Sequence, residues 1–246
     1  MKYIYIVLFF CLSSIIYAGT RDPQKDDKQY IDYGKSFECV GEISGINNDN
    51  TLFIASGVAI DSHHVLTAAH VIKKYKSCFF KIRNKTLEVK RIVYHKDFDK
   101  QVFTSGDIAI GYIQDDIGIE TYPEIYLDNE LGKTCSIVGF GWYGTFEDGP
   151  KDFDFNKRAG TNKIERIEDN ILVCTPSGPS EIDITELEFL ISQGDSGGGL
   201  FIDNKLAGIN SSIFKVGAKP DGKYGTQASH TRVQDYIEWI NTNKTK

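Results

Sequence analysis

The chain is short of the features that mark several large classes of protein. It has no excess of positive charge: 28 Lys and Arg stand against 34 Asp and Glu, a formal net charge of −6. Phosphate binding needs a basic patch, so this balance argues against a nucleic-acid partner. Six prolines among 246 residues rule out a Pro-rich or collagen-like chain. No Cys-x-x-Cys occurs, which leaves a zinc knuckle or a thioredoxin-like redox motif unsupported. His63, His64, His70 and His95 show no helical HExxH spacing, so no metal or other cofactor is expected. Repeats with evident internal identity are absent. After Tyr17, no apolar stretch approaches a membrane span.

The first segment reads as an address. Met1-Lys2 is a short basic start, residues 3–17 are almost wholly apolar, and the small residue Ala18 follows. That order is a secretory signal, with cleavage expected after Ala18 and export to an extracellular or periplasmic space. The run is too short for a comfortable span, so no stable membrane anchor is expected. Cys11 follows Phe10, where a lipoprotein signal would want a small residue. Residues 19–34 are left as an N-terminal segment or short propeptide.

Hydrophobic residues are 41% and charged residues 25%, an ordinary soluble composition. Short runs rich in Val, Ile, Phe and Tyr recur between turn residues at 51–61, 63–67, 78–83, 86–94, 107–113, 134–140, 162–167, 171–175, 186–191, 198–203, 205–214 and 226–231. Such spacing points to an all-β sandwich or barrels. One helix is expected at 231–242. Thr231 and Gln234 can form a capping box, and Val233, Tyr236, Ile237 and Ile240 make an apolar stripe. Gly144 to Gly160 is polar and charged and reads as a long mobile loop. His63 and His64 are expected at a strand edge facing solvent. Four cysteines remain outside the signal, an even count that in an exported chain reads as two disulfides. We expect Cys39–Cys78 and Cys135–Cys174, one in each half of the chain.

Three short motifs carry chemistry. Leu66-Thr67-Ala68-Ala69-His70 ends a strand with small residues and a histidine. Gly106-Asp107-Ile108-Ala109-Ile110 sets an aspartate at the start of an apolar strand. Gly194-Asp195-Ser196-Gly197-Gly198-Gly199 sets a serine in a glycine-rich turn, where backbone N–H groups can converge. Either of the first two alone is weak. All three in this order are specific.

Together they resemble the trypsin/chymotrypsin family of serine proteases, over roughly residues 35 to 240. Cys135-Ser136-Ile137-Val138-Gly139-Phe140-Gly141-Trp142, Leu206-Ala207-Gly208-Ile209-Asn210-Ser211 and Tyr236-Ile237-Glu238-Trp239-Ile240 extend the likeness. The resemblance implies two antiparallel six-stranded β-barrels with a C-terminal α-helix, the barrels at about 35–125 and 126–230 of a peptidase domain spanning 35–246. It implies a secreted serine endopeptidase with His70, Asp107 and Ser196 as its triad. Gly194 and Ser196 N–H groups would form the oxyanion hole, and Ser211 would support Asp107. Ser211, Ser212 and Ile213 would pair with an extended substrate. The partners implied are polypeptide substrates and protein protease inhibitors, with the enzyme itself a monomer.

Pocket positions are carried over in the same way. Leu190 falls at the pocket base, with Ile213 and Ala228 on its walls, which implies small or apolar P1 residues. His230 lies near a position used by glutamate-preferring relatives, which carry a second histidine where this chain has Asn210. In the family, a new N-terminal ammonium pairs with the aspartate matching Asp195. Here no Arg-Ile-Val-Gly-Gly precedes the first barrel. Two readings follow: cleavage near Lys28 to Tyr30, exposing an end close to Ile31 that supplies the ammonium, or activity as soon as the signal is removed, with another group satisfying Asp195. Val71 and Ile202 stand where the family often has cysteines, and Gly199 replaces the usual proline.

Rivals from other classes are a lipase-type hydrolase and a non-catalytic binding module on the same fold. The first wants a helix after the serine and a histidine late in the chain, whereas a strand pattern follows Ser196. The intact His70, Asp107 and Ser196 argue against the second.

Overall fold

The computed structural model describes residues 19–73, 75–99, 106–178, 184–215 and 222–244, so the signal expected over residues 1–18 lies outside them. The chain starts with β1 (Gly19–Arg21) and α1 (Asp27–Gly34). Then come β2 (Val40–Asn47), β3 (Leu52–Ala59), β4 (His64–Thr67), the one-turn α2 (Ala69–Ile72), β5 (Tyr75–Ile82), β6 (Lys85–Tyr94) and β7 (Ala109–Ile113). The second half holds β8 (Thr134–Gly139), β9 (Tyr143–Thr145), β10 (Gly149–Asp152), β11 (Arg158–Glu168), β12 (Ile171–Cys174), β13 (Phe189–Leu190), β14 (Gly199–Ile202), β15 (Lys205–Lys215) and β16 (Thr226–Arg232). A 3₁₀ turn over Val233–Tyr236 leads into α3 (Ile237–Lys244).

Two closed barrels form, in the orders β2-β3-β4-β7-β6-β5 and β11-β12-β16-β15-β14-β8, with every pairing antiparallel. Period-two patterning drives the closure. Cys78, Phe80 and Ile82 on β5 point inward with Leu87 and Val89 on β6, while Phe79, Lys81, Glu88 and Lys90 between them are exposed. Each large side chain fully buried this way stabilises the fold by roughly 1.5–3 kcal/mol. The core of the first barrel continues through Val138, Phe201, Leu206 and Ile209 of the second to Val233, Tyr236 and Ile240. The barrels therefore share an apolar seam, and in the cleft that two barrels leave where they meet lie His70 and Ser196, one from each and both half-buried.

Two segments differ from the sequence expectation. Residues 144–160 form the β9–β10 hairpin and the start of β11, not a long loop. Strand β9 also pairs in parallel with β1, which pairs on its other side with β13, giving a small sheet β10-β9-β1-β13. Two of the charges that suggested a solvated loop, Arg158 and Asp154, are paired with each other, whereas Asp148 and Lys151 pair at the surface. The buried Arg158 guanidinium binds Asp154 at 2.9 Å and Asp27 of α1 at 2.6 Å, and it lies 3.9 Å from the centre of the Tyr143 ring. The capping box also fails to form. Thr231 Oγ1 donates to the Asp107 carbonyl at 3.0 Å, and Gln234 reaches Glu130 at 2.6 Å, so both side chains are taken elsewhere.

His64 is buried against Asp61, 2.8 Å from its carboxylate, so it does not face solvent as expected. The expected Cys39–Cys78 bridge is corrected as well. Cys39 precedes β2, while Cys78 stands opposite Gly45 near the far end of that strand. At about 3.4 Å per residue the two are roughly 20 Å apart along the strand, whereas a disulfide needs Cα atoms within about 7 Å. All four cysteines are buried thiols here, and Cys135 and Cys174 bring their Sγ atoms to 3.9 Å inside the second barrel. Alkylation of the unfolded, unreduced protein followed by mass analysis is expected to tag two cysteines, Cys39 and Cys78. Tagging of all four would show that the close pair stays reduced.

Candidate active site

Thr67, Ala68 and Ala69 are small enough to let the chain turn tightly off β4 into α2, and all three are buried. The turn presents His70 at the cleft. Asp107 lies just before β7, buried beneath it. Ser196 comes from the other barrel, in the turn that leads to β14. The three side chains meet in a line. His70 Nδ1 is 2.8 Å from Asp107 Oδ2, and His70 Nε2 is 3.0 Å from Ser196 Oγ. The His70 backbone N–H also donates to Asp107 Oδ1 at 2.9 Å. Asp107 can only accept when ionised, so Nδ1 carries the proton and Nε2 offers its lone pair to the serine hydroxyl.

Asp107 is held by the second barrel too. Ser211 Oγ donates to Oδ2 at 2.5 Å, and Thr231 Oγ1 donates to the main-chain carbonyl. Burial pushes the carboxyl pKa up, but hydrogen bonding and charge from His70 and the Ser211 hydroxyl outweigh it, leaving the pKa below the usual carboxylate value. Asp107 is thus an anion beneath the imidazole, able to stabilise an imidazolium.

The turn around Ser196 is shaped by glycines with positive φ, Gly194 at 92° and Gly197 at 84°. Among the described residues, neither the Gly194 nor the Ser196 N–H donates to a protein acceptor. The Gln193 carbonyl accepts from Trp142 N–H at 3.1 Å, which turns the Gly194 N–H the opposite way. Ser56, which the sequence reading did not single out, ties this turn to the first barrel. Its Oγ donates to the Gly194 carbonyl at 2.7 Å and accepts from Phe140 N–H at 2.9 Å. Tyr236 was read only as packing, yet its hydroxyl accepts from Gly106 N–H at 2.9 Å, next to Asp107. No local signal marks Ser56, Thr231 or Tyr236, because each partner lies far away in sequence.

Asp195 points away from the cleft into the body of the second barrel. Its carboxylate accepts from Gly141 N–H at 2.7 Å, Ser192 N–H at 2.9 Å and Ser192 Oγ at 3.1 Å. Burial dominates these bonds and raises its pKa to about 7. Among the described residues, no Lys, Arg or His side chain forms an ion pair with it. Gly19, the first residue of β1, lies against it: a Cβ added there would stand 2.8 Å from Oδ2, closer than real side chains approach.

Leu190 and Ala228 are fully buried, with Ile213 partly buried in the same apolar cluster. Leu190 pairs with Thr20 of β1, and Ile213 with Ala228 across β15 and β16. From Ser211 onward β15 pairs only with β16, since its register with β14 ends at Ile209. Among the described residues, no strand pairs with that edge of β15 at Ser211, Ser212 and Ile213. His230 is buried, and its Nδ1 meets Asn210 Oδ1 at 2.9 Å.

The sequence model of the family described as Trypsin matches residues 33–240. Curated relatives include tissue-type plasminogen activator of Bos taurus, 24% identical over 225 residues, covering 78% of this chain and 39% of that protein. The chain thus spans well under half of that relative's length. Trypsin Tyr p 3.0101 of Tyrophagus putrescentiae is 26% identical over 278 aligned residues, covering 96% of this chain and 90% of its own. Among solved structures, HL collagenase superposes with a TM-score of 0.67 at 19% identity, covering 85% of this chain and 94% of that one. Neuropsin, a serine protease expressed in the limbic system of mouse brain, gives 0.65 at 21% identity, covering 85% and 95%.

The hold on Asp107 can be tested by acid. A carboxylate whose folded pKa is depressed adds stability above its unfolded value, and that stability is lost as pH falls through the folded value. Ser211→Ala removes one stabilising bond, so Asp107 should protonate at higher pH. Circular dichroism is expected to show acid unfolding beginning at higher pH than in wild type. A loss of about 1–2 kcal/mol at pH 7 is also expected. An unchanged acid transition would show that Ser211 does not set this charge.

Proposed function

Because the chain belongs to the trypsin family of serine proteases, we propose that it is a secreted endopeptidase cleaving peptide bonds through an acyl-enzyme on Ser196. The observation that carries this is the line from Asp107 through His70 to Ser196 Oγ, with contacts of 2.8 and 3.0 Å. Ser196 Oγ attacks the scissile carbonyl carbon, and its proton passes to His70 Nε2. Negative charge forms on the carbonyl oxygen, where the Gly194 and Ser196 N–H groups receive it. Asp107 stabilises the imidazolium meanwhile. The C–N bond then breaks, and His70 returns the proton to the leaving amine. Water, deprotonated by His70, attacks the ester carbonyl carbon; the bond to Ser196 Oγ breaks, His70 returns the proton to that oxygen, and the acid leaves.

An extended polypeptide would add to the open edge of β15 at Ser211–Ile213. Protein protease inhibitors presenting an extended loop would use the same edge, against a monomeric enzyme. Leu190, Ile213 and Ala228 favour a small or apolar P1 side chain. His230 lends no support to glutamate there: burial lowers its pKa to about 3, so it supplies no cation.

Of the two activation readings, we favour activity upon removal of the signal after Ala18. Gly19 is the residue that reaches Asp195, and its freed α-amino group would give that buried carboxylate a cation. Cleavage near Lys28 to Tyr30 is harder to accommodate. Ile31 lies within α1, and the neighbouring Tyr30 is fully buried, its hydroxyl donating to the Glu188 carbonyl at 3.2 Å.

Four experiments check these readings. Fluorophosphonate labelling should modify the mature protein once, on Ser196. Ser196→Ala should lower peptide cleavage by at least about 10⁴-fold. In a panel of peptide anilides, alanine or valine at P1 should be cleaved faster than arginine or glutamate. No labelling together with undiminished cleavage by Ser196→Ala would sink the assignment. Next, chains beginning at Gly19, at an alanine added before Gly19, and at Ile31 would be compared. The first should label fastest and the alanine-extended form about 100-fold more slowly, the scale of losing one oxyanion donor. Equal rates for those two, or labelling of the Ile31 form alone, would reject the signal as the activating segment.

A further inference from the structure

Asn210 sits on β15 directly behind the nucleophile turn, fully buried. Its backbone already braces that turn, because its N–H donates to the Gly198 carbonyl at 2.8 Å and its carbonyl accepts from Gly197 N–H at 2.7 Å. The side chain adds two bonds: Nδ2 lies 3.0 Å from the Val138 carbonyl and 3.1 Å from the Asp195 carbonyl. Both partners are carbonyl oxygens and can only accept. The amide end of Asn210 must therefore face them, and both its hydrogens are used. Oδ1 then faces His230 Nδ1 and can only accept, so Nδ1 carries the imidazole proton. His230 is neutral because burial drives its pKa far below the usual histidine value. Among the described residues its Nε2 has no hydrogen-bond partner. The bond to Asn210 is thus the one polar role visible for this ring.

The Asp195 carbonyl belongs to the same peptide plane as the Ser196 N–H. In a trans peptide the two point in opposite directions. Drawing the carbonyl back onto Asn210 Nδ2 and Gly198 N–H aims the Ser196 N–H forward into the cleft. The matching plane at Gly194 is held mainly by a backbone donor, Trp142 N–H at 3.1 Å from the Gln193 carbonyl, with the Ser192 hydroxyl at 3.5 Å from the same carbonyl. A side chain helps to hold the plane at Ser196, and a substitution can remove it.

We propose that Asn210 and His230 form a positioning pair: His230 fixes the Asn210 amide, and the amide fixes the Ser196 N–H on the oxygen that becomes negative in the reaction. Neither residue touches substrate. The inference rests on the endopeptidase reading of Ser196, and it turns two positions first associated with the specificity pocket into supports for the oxyanion site.

Fluorophosphonate inactivation of the mature protein separates this role from a general structural one. The maximal inactivation rate reports on the reacting geometry, and the half-saturating probe concentration reports on binding before reaction. Asn210→Val is expected to lower the maximal rate by about 10–100-fold, the scale of a weakened oxyanion donor, with half-saturation changed by less than about two-fold. Affinity for a peptide boronic acid, whose tetrahedral adduct places an oxygen at the same site, should fall by a similar factor. His230→Leu should show the same split with a smaller drop, and it decides the matter if Asn210→Val does not fold. A maximal rate within about two-fold of wild type in the folded variants, or a loss confined to half-saturation, overturns the pairing alone. A wild-type protein that the probe never labels overturns the endopeptidase reading, and the pairing with it.

Discussion

One buried anion joins the two halves of the molecule. Asp107 belongs to the first barrel and shares His70 with it, yet Ser211 and Thr231 of the second barrel complete its hydrogen bonding. A buried charge is tolerated only where donors reach it, and the second barrel's donor to this carboxylate is the Ser211 hydroxyl, while Thr231 holds the main-chain carbonyl. The relative placement of the barrels is thus bound to the electrostatics of one carboxylate. The same constraint places His70 opposite Ser196, because the imidazole is gripped through both its backbone N–H and its ring.

A second buried carboxylate behaves in the opposite way. Asp195 accepts only from neutral N–H and O–H groups, and its pKa rises to about 7. Asp107 is held below the ordinary value despite comparable burial. Two aspartates about Ser196, pushed apart in pKa by their surroundings, can take different duties. One is held as an anion beneath His70, and the other, among the described residues, lies behind the turn with no cationic side chain paired to it.

Much of this was legible before any coordinates. Short runs rich in Val, Ile, Phe and Tyr between turn residues mark the barrel strands from β3 onward, because several of these strands are buried along most of their length while others, such as β5, are buried on alternate residues. The glycines flanking Ser196 and the small residues before His70 marked tight turns. What escaped notice shares a different cause. Strand β2 carries Gly41, Glu42 and Gly45 among its apolar residues, which blurs the alternation. The Gly144–Gly160 segment looks like solvent-exposed loop because Arg158, Asp154 and Asp27 neutralise one another only after folding. Thr231 and Gln234 have the spacing of a capping box, but stronger partners claimed them. Pairing cysteines by halves of the chain joins Cys39 to Cys78, whereas strand register decides which pair can meet.

The buried amide of Asn210 has a consequence for where this protein can be made. Asn210-Ser211-Ser212 fits the acceptor pattern for N-linked glycans. A host that glycosylates chains as they emerge, before they fold, would attach sugar to Nδ2. That is the atom that donates to Val138 and Asp195 inside the second barrel. A glycan there has no room in a fully buried position, and it removes one of the two hydrogens the barrel uses. Sugar transfer and folding therefore compete for a single nitrogen, and a molecule modified there first is barred from the native barrel.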